Sequence, residues 1–469
     1  MRIEKEYKKA GYFWLPENSD NKIPGTLTIT DGGEIELEVV GTFDESIETA
    51  FDSNVHLIRI IGNVEDDGYV TLERCFYTSK SIAFGGISRS YLHVSQVLCG
   101  VAYDKDEEVT FNTLSFSIEC MDEWIGISGI EVTTEFTPYI EQISAIIKYN
   151  PPASISYLLN NGMQLEICFA YTLPSFSNIT EAKITQKTYF KLISDELRSL
   201  QDFTAIAYKV TNLLCFAVDS TVSIKGLTAT SNEIMQDIGN EKNHAIPIKV
   251  YYPSNPFAEK KPKVHWRNMI FTFGIIKENA GDVFNKWIDS YDSIAPALGL
   301  YFSTKMDVHK YLDGKFLALA QGLETYHRRM SHETLMDDSE FQTLVQTLIQ
   351  SCPEDKKEWL DGRLKYGNEI NFGKRIKKMI EPFKEHIGNN CEREKIIRKI
   401  VSTRNYLTHY NEDLKEETAR GKDLWTLCRK METIFQLHFL NEIGFTQSEI
   451  SQVIENNNLL KQKLDESFE

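Results

Sequence analysis

The hydrophobic period of this chain changes once, near residue 281, and that change limits what it can fold into. Before it, apolar and polar residues alternate over short runs: Thr26-Leu27-Thr28-Ile29-Thr30, Glu34-Ile35-Glu36-Leu37-Glu38-Val39 and Tyr69-Val70-Thr71-Leu72. Period two puts successive side chains on opposite faces of a strand. Asp31-Gly32-Gly33 and Asp66-Asp67-Gly68 supply turns between the runs. Residues 23–132 therefore predict half-buried antiparallel sheet joined by hairpins. More strands are expected around 154–159, 163–171, 183–192, 222–227, 246–252 and 269–276. One helix interrupts them, with Phe203, Ile206, Val210, Leu213 and Ala217 on one face.

After residue 281 the period is 3.6. Phe316, Leu319, Ala320, Leu323 and Tyr326 mark one helix; Phe341, Leu344, Val345, Leu348 and Ile349 mark another, behind the acidic cap Asp337-Asp338-Ser339. Shorter helical pieces follow at 354–365 and 374–386, then long ones at 391–410 and 420–443. The fold class is α+β and multidomain: a β-rich region over 1–280, an all-α bundle of about five helices over 281–455, and a frayed tail over 456–469. Residues 253–267, rich in Pro and Lys and ending in His265-Trp266-Arg267, read as a solvated connector, with a nucleic-acid contact as the alternative.

No run of eighteen apolar residues occurs, so no membrane span is expected, and the charged start lacks the apolar core of a signal peptide. Eight cysteines are scattered without any Cys-x-x-Cys pair, which fits reduced core thiols in a cytoplasmic protein. The net charge of −17 excludes a protein that coats nucleic acid over its whole surface. That charge is unevenly placed: residues 1–300 carry a net of −15, and residues 301–469 only −2.

Within the balanced half, residues 371–410 hold ten Lys or Arg against four Glu. Lys374, Arg375, Lys377, Lys378, Arg398 and Lys399 are candidates for contacting a phosphate backbone, although paired helix faces would give the same count. At the end of this segment lies Arg404-Asn405-Tyr406-Leu407-Thr408-His409. An arginine fork fits a phosphate bidentately, and an imidazole can take and give a proton near pH 7. Arg404, His409 and Asn405 are thus candidate catalytic residues for metal-free phosphodiester cleavage. The spacing alone has low specificity, occurring about once by chance in a chain this long. Glu324, His327 and Arg328 share one helix face, and Glu324 and His327 are candidates to support Arg404 or His409. A Glu-x-x-His pair can also ligate a metal, but that arrangement needs a second such pair, and the bundle has none. No metal and no cofactor are expected.

The Arg-Asn-x-x-x-His run on a basic helix of an all-α bundle resembles the HEPN superfamily, whose signature is Arg-x(4–6)-His. The wider chain resembles the ApeA family of bacterial abortive-infection proteins. The carrying stretches are 316–328, similar to the first helix of that HEPN type, and 25–41, similar to the opening strands of its N-terminal domain. The resemblance implies a cytoplasmic, metal-independent endoribonuclease used against phage. It also implies a homo-oligomer, at least a dimer, in which two Arg/His sets form one site. Host RNA, with transfer RNA a candidate, would be the substrate, and a phage-derived protein a candidate trigger sensed by the β-rich domain. The alternative is a non-catalytic bundle that only dimerises and binds RNA or protein.

Overall fold

Alternating burial closes the first part of the chain into a barrel. The computed structural model describes residues 1–43, 56–81, 83, 86–136, 143–174, 179–237, 243–306, 308–410 and 412–468. The chain divides into two compact units, Met1–Ile288 and Asp289–Glu469. In the first, β1 (Tyr7–Trp14), β2 (Ile23–Ile29), β3 (Ile35–Val40), β4 (His56–Val64), β5 (Gly68–Ser81) and β6 (Arg89–Cys99) pair antiparallel. Their order is β6-β3-β2-β1-β4-β5, and β5 pairs back onto β6, so six strands form a closed ring without an edge. Ile35, Leu37 and Val39 of β3 point inward with Phe13, Leu27, Leu72 and Leu92. Gly62 lets β4 pass that filling, since a Cβ there would lie 2.6 Å from the Phe13 ring.

From β6 the sheet continues outward through β16 (Ile248–Tyr251), β13 (Ile224–Thr230), β7 (Thr110–Ile118), β12 (Thr185–Ser199), β11 (Gln164–Thr172) and β10 (Ile155–Leu158). Two hairpins stand apart: β8 (Ile130–Phe136) with β9 (Ile143–Tyr149), and β14 (Met235–Asp237) with β15 (Asn243–Ala245). After the short α1 (Met121–Ile125), the expected helix is α2 (Leu200–Val218). It is capped by Ser199, whose side chain accepts from the Asp202 amide, and it buries Phe203, Val210, Leu213 and Phe216.

The strand expected over 269–276 does not form. A 3-10 turn, Trp266–Asn268, precedes the stretch, and the helix α3 (Phe273–Ile276) ends it. Met269, Ile270, Phe271 and Phe273 are all buried, and the Ile270 amide donates to the Ala217 carbonyl at the end of α2. A short continuous apolar run has no period to distinguish strand from plug. In the preceding connector Trp266 is half exposed, stacked on His265 and overlain by Arg267.

The boundary between the units falls inside α4 (Ala280–Ser303) rather than at its start. The second unit continues with α5 (Leu312–Met330), α6 (Asp338–Gln350), α7 (Lys357–Leu364), α8 (Phe372–Ile380), α9 (Asn390–His409), α10 (Gly421–Glu442), α11 (Gln447–Asn456) and α12 (Asn458–Asp465). Its core is α5 against α10, where Phe316, Leu319 and Leu323 of the first and Leu427, Met431 and Phe435 of the second are all buried. Gly322 permits the approach, because a Cβ there would be 2.7 Å from the Phe435 ring. The bundle has more helices than five. The piece expected over 374–386 breaks at Pro382 into α8 and a 3-10 segment, Glu381–His386, since proline lacks the amide an α-helix needs. The apolar face read on α6 buries only Phe341; Leu344 and Leu348 are each 42% exposed.

The tail expected to fray is mostly helical. Asn457 accepts from the Leu459 and Leu460 amides to start α12, and Leu460 and Leu464 are buried. The three-asparagine run that suggested disorder contains a helix cap instead.

Glu432 of α10, its side chain 4% exposed, is surrounded by Lys315 at 2.7 Å, Lys305 at 3.3 Å and Lys463 at 3.7 Å. Burial pushes its carboxyl up, but the three lysines outweigh that and hold it below the ordinary glutamate value. Glu432→Ala strands three ammonium groups and should destabilise the helical unit by about 3–5 kcal/mol in urea denaturation. A loss under about 1 kcal/mol would mean that the lysines simply turn to solvent.

Candidate active site

The candidate site is built on α9. Asn389 caps this helix in a reciprocal box with Glu392, and Ile396, Ile400 and Thr403 bury one side of it. Thr403 accepts from the Ala419 amide at 2.9 Å, and Ser402 donates to Glu417 at 2.9 Å, so the following loop is tied back to the helix. These contacts fix the rotation of α9 about its axis and hence the directions of Arg404 and His409.

Arg404 is 35% exposed at its side chain and turns toward α5. One guanidinium nitrogen lies 3.4 Å from Glu324, another donates to the Asn405 side-chain oxygen at 3.2 Å, and the Phe372 ring is 5.4 Å away. Charge-assisted bonds are normally about 2.7–2.9 Å, so the contact to Glu324 is slack and leaves the fork able to take a phosphate. Glu324 also accepts from Arg328 at 3.1 Å, Arg328 pairs with Glu369, and Arg375 lies 3.6 Å from Glu369. Three arginines thus share two carboxylates. Glu369 lies in a loop with no periodicity or motif, so nothing in the sequence marked it.

His409 is the last residue of α9, exposed, and makes no side-chain hydrogen bond among the described residues. The helix stays regular through it. Asn405 is one turn from His409 on the same face. Arg404 and His409 are instead about 140° apart around the axis and about 7.5 Å apart along it.

His327 is 7% exposed and forms part of the packing under the site. Its Nδ1 lies 3.1 Å from an Arg375 nitrogen, which can only donate, so the ring is neutral with its proton on Nε2. Burial, then Arg375, lowers its pKa. His327 therefore supports Arg375 and does not reach His409. Among the described residues no group of three His, Cys, Asp or Glu is arranged to hold a metal ion.

The six basic candidates separate into two sets. Arg375 is 4% exposed and donates inward to the Ile370 carbonyl and to His327, which removes it from any phosphate contact. Lys378 pairs with Glu333; Lys399 pairs with Asp423 at 2.8 Å and lies 5.2 Å from the Phe468 ring. Among the described residues Lys374, Lys377 and Arg398 carry no such partner. They line one cleft of about 400 Å³ between α8 and α9, with Ser402 at its wall and Glu394 the one acid. Cations gathered along one cleft beside α9 can neutralise a row of anionic groups.

A family model described as ApeA N-terminal domain 1 matches residues 8–287, and a second, described as Apea-like HEPN, matches residues 317–449. The chain belongs to the ApeA family. No curated protein and no solved structure matches it. Its β-rich region with a six-stranded barrel is the ApeA N-terminal part, and the helical unit carries the HEPN domain. This pairing suggests a nuclease-type effector of abortive infection. Among the described residues no helix of this ApeA-family chain is long and apolar enough to cross a membrane.

Beneath the site, His438 of α10 packs on Tyr326 and Phe383 and donates from Nε2 to the Met379 carbonyl at 2.9 Å. Burial lowers its pKa from 6.5 to about 4. A depressed imidazole takes up its proton in the unfolded chain first, so it costs nothing above pH 6.5. Its destabilising effect grows as pH falls from 6.5 to about 4. His438→Gln should show a shallower fall of melting temperature over that window than wild type. Identical slopes would remove His438 from the acid response.

Proposed function

We propose that this chain is a metal-independent endoribonuclease whose reaction centre needs Arg404 from one copy and His409 from another. The observation that carries this reading is their divergence on α9. Among the described residues His409 ends the helix exposed and without a side-chain hydrogen bond, while Arg404 lies against Glu324 of α5. Two such helices, brought together about a two-fold axis, would put each imidazole opposite the other chain's guanidinium.

In this scheme the ribose 2′-OH attacks the adjacent phosphorus, giving a 2′,3′-cyclic phosphate and a 5′-OH. His409 removes the 2′ proton, and solvent protonates the leaving 5′ oxygen. Arg404 moves from its slack contact with Glu324 onto the phosphoryl oxygens as charge accumulates there. Asn405, one turn before His409, orients the imidazole or donates to the phosphate. Lys374, Lys377 and Arg398 hold the strand in the cleft beside α9. DNA lacks the nucleophile, so it binds without being cut. The substrate is host RNA, transfer RNA among the candidates, in the bacterial cytoplasm. The barrel-bearing domain regulates the nuclease, with a phage-derived protein as trigger.

Co-expression of two inactive variants tests the shared centre. Arg404→Ala and His409→Ala should each cut RNA at less than about 1% of the wild-type rate while keeping the wild-type oligomeric state. A co-expressed one-to-one mixture should recover about a quarter of wild-type activity, because half the dimers carry one intact pair. No recovery would place Arg404 and His409 of the same chain in one centre. Full activity of either single variant would end the nuclease reading at this site.

A further inference from the structure

Tyr410 follows His409 and closes α9 with φ 52 and ψ 38, in the left-handed region. Glycine is the ordinary residue there, because a Cβ crowds the backbone in that conformation. The chain keeps a large ring at a position where a large ring is unfavourable, and the ring is 67% exposed. Burial gives no reason for it. Backbone strain at an exposed position points to a use for the side chain.

The surroundings narrow that use. Tyr406 and Tyr410 are one turn apart, and their rings meet edge to face with centroids 5.6 Å apart at 62°. The Arg420 guanidinium lies 5.7 Å from the Tyr406 ring, held from below by a bond to the Lys415 carbonyl at 3.2 Å. Asn405 and His409 are one turn apart as well. The end of α9 therefore carries two adjacent rows, one with an amide and an imidazole, the next with two phenol rings flanked by a cation. An edge-to-face pair leaves one ring face open. A flat π surface beside a phosphate-directed imidazole is the chemistry that receives an unpaired nucleobase.

We propose that Tyr410, steadied by Tyr406 and Arg420, is a positioning residue that stacks on the base flanking the cut phosphate. This rests on the nuclease reading above and adds to it a base subsite beside the imidazole. A base inside a duplex has no open face, so cleavage is confined to unpaired stretches. The subsite reads the presence of a base rather than its identity, since every base offers a π face.

The test uses full-length protein and a labelled unpaired RNA oligomer with one mapped cut. Two further oligomers carry an abasic ribose on one side of the cut or the other. Tyr410→Gly should raise KM about tenfold with little change in kcat, and Tyr410→Phe should rescue KM. The glycine variant should melt no lower than wild type, because it suits the left-handed backbone. One of the two abasic oligomers should cost wild type the same factor and cost Tyr410→Gly nothing more. An unchanged KM in Tyr410→Gly overturns the proposal. So do abasic and glycine penalties that multiply, or a change of oligomeric state in place of RNA affinity, which would make the ring a contact between copies. The same oligomer with 2′-deoxyribose at the cut separates the two readings through its dissociation constant. Wild type that binds it tightly but leaves the ribose version uncut sinks the nuclease reading and still measures the stack. Equal affinity of wild type and Tyr410→Gly for it sinks the stack alone.

Discussion

One turn of α-helix takes 3.6 residues, and Arg404 and His409 are five positions apart on an unbroken helix. That geometry governs the chemistry this chain can perform. Had the helix ended before His409, one chain could have aimed both groups at one phosphate. Because α9 stays regular through His409, the two side chains leave it in different directions. A second copy of the chain is the direct way to reunite them, and the proposed mechanism follows from that constraint.

The surroundings of Arg404 serve the same end. Glu324 and Glu369 divide their charge among Arg404, Arg328 and Arg375, so no arginine has a carboxylate to itself. Arg375 is fixed further by the Ile370 carbonyl and a neutral His327, and it acts as a strut. Arg404 is the most loosely held of the partners of Glu324, which is why the proposed mechanism gives it the phosphate. Charge is arranged in the same way along the helices behind it. Lys378 and Lys399 are paired, whereas Lys374, Lys377 and Arg398 face one cleft.

Much of this was legible in the residues, and the exceptions have physical causes. Alternation in β2, β3 and β5 marked the sheet because each strand has one wet face. It could not reveal that β5 pairs back onto β6, since ring closure is a pairing between distant segments. The apolar residues of the plug at 269–273 are all buried and have no period. Helix α9 and its cluster could be read from the motif and the charge. Which lysines were spent on Glu333 and Asp423 could not, because those partners come from other elements. Arg375 and His327 looked like site residues for their type alone, and their burial reflects packing between α5 and α8.

In the proposed reaction Arg404 and His409 cut RNA through its own 2′-OH. End-group analysis of RNA incubated with the full-length protein in excess EDTA tests it most directly. Fragments ending in a 2′,3′-cyclic phosphate and beginning with a 5′-OH are predicted, at a rate unchanged by the chelator. Fragments with 3′-OH and 5′-phosphate ends, or cleavage that stops in EDTA and returns with a divalent cation, would contradict it.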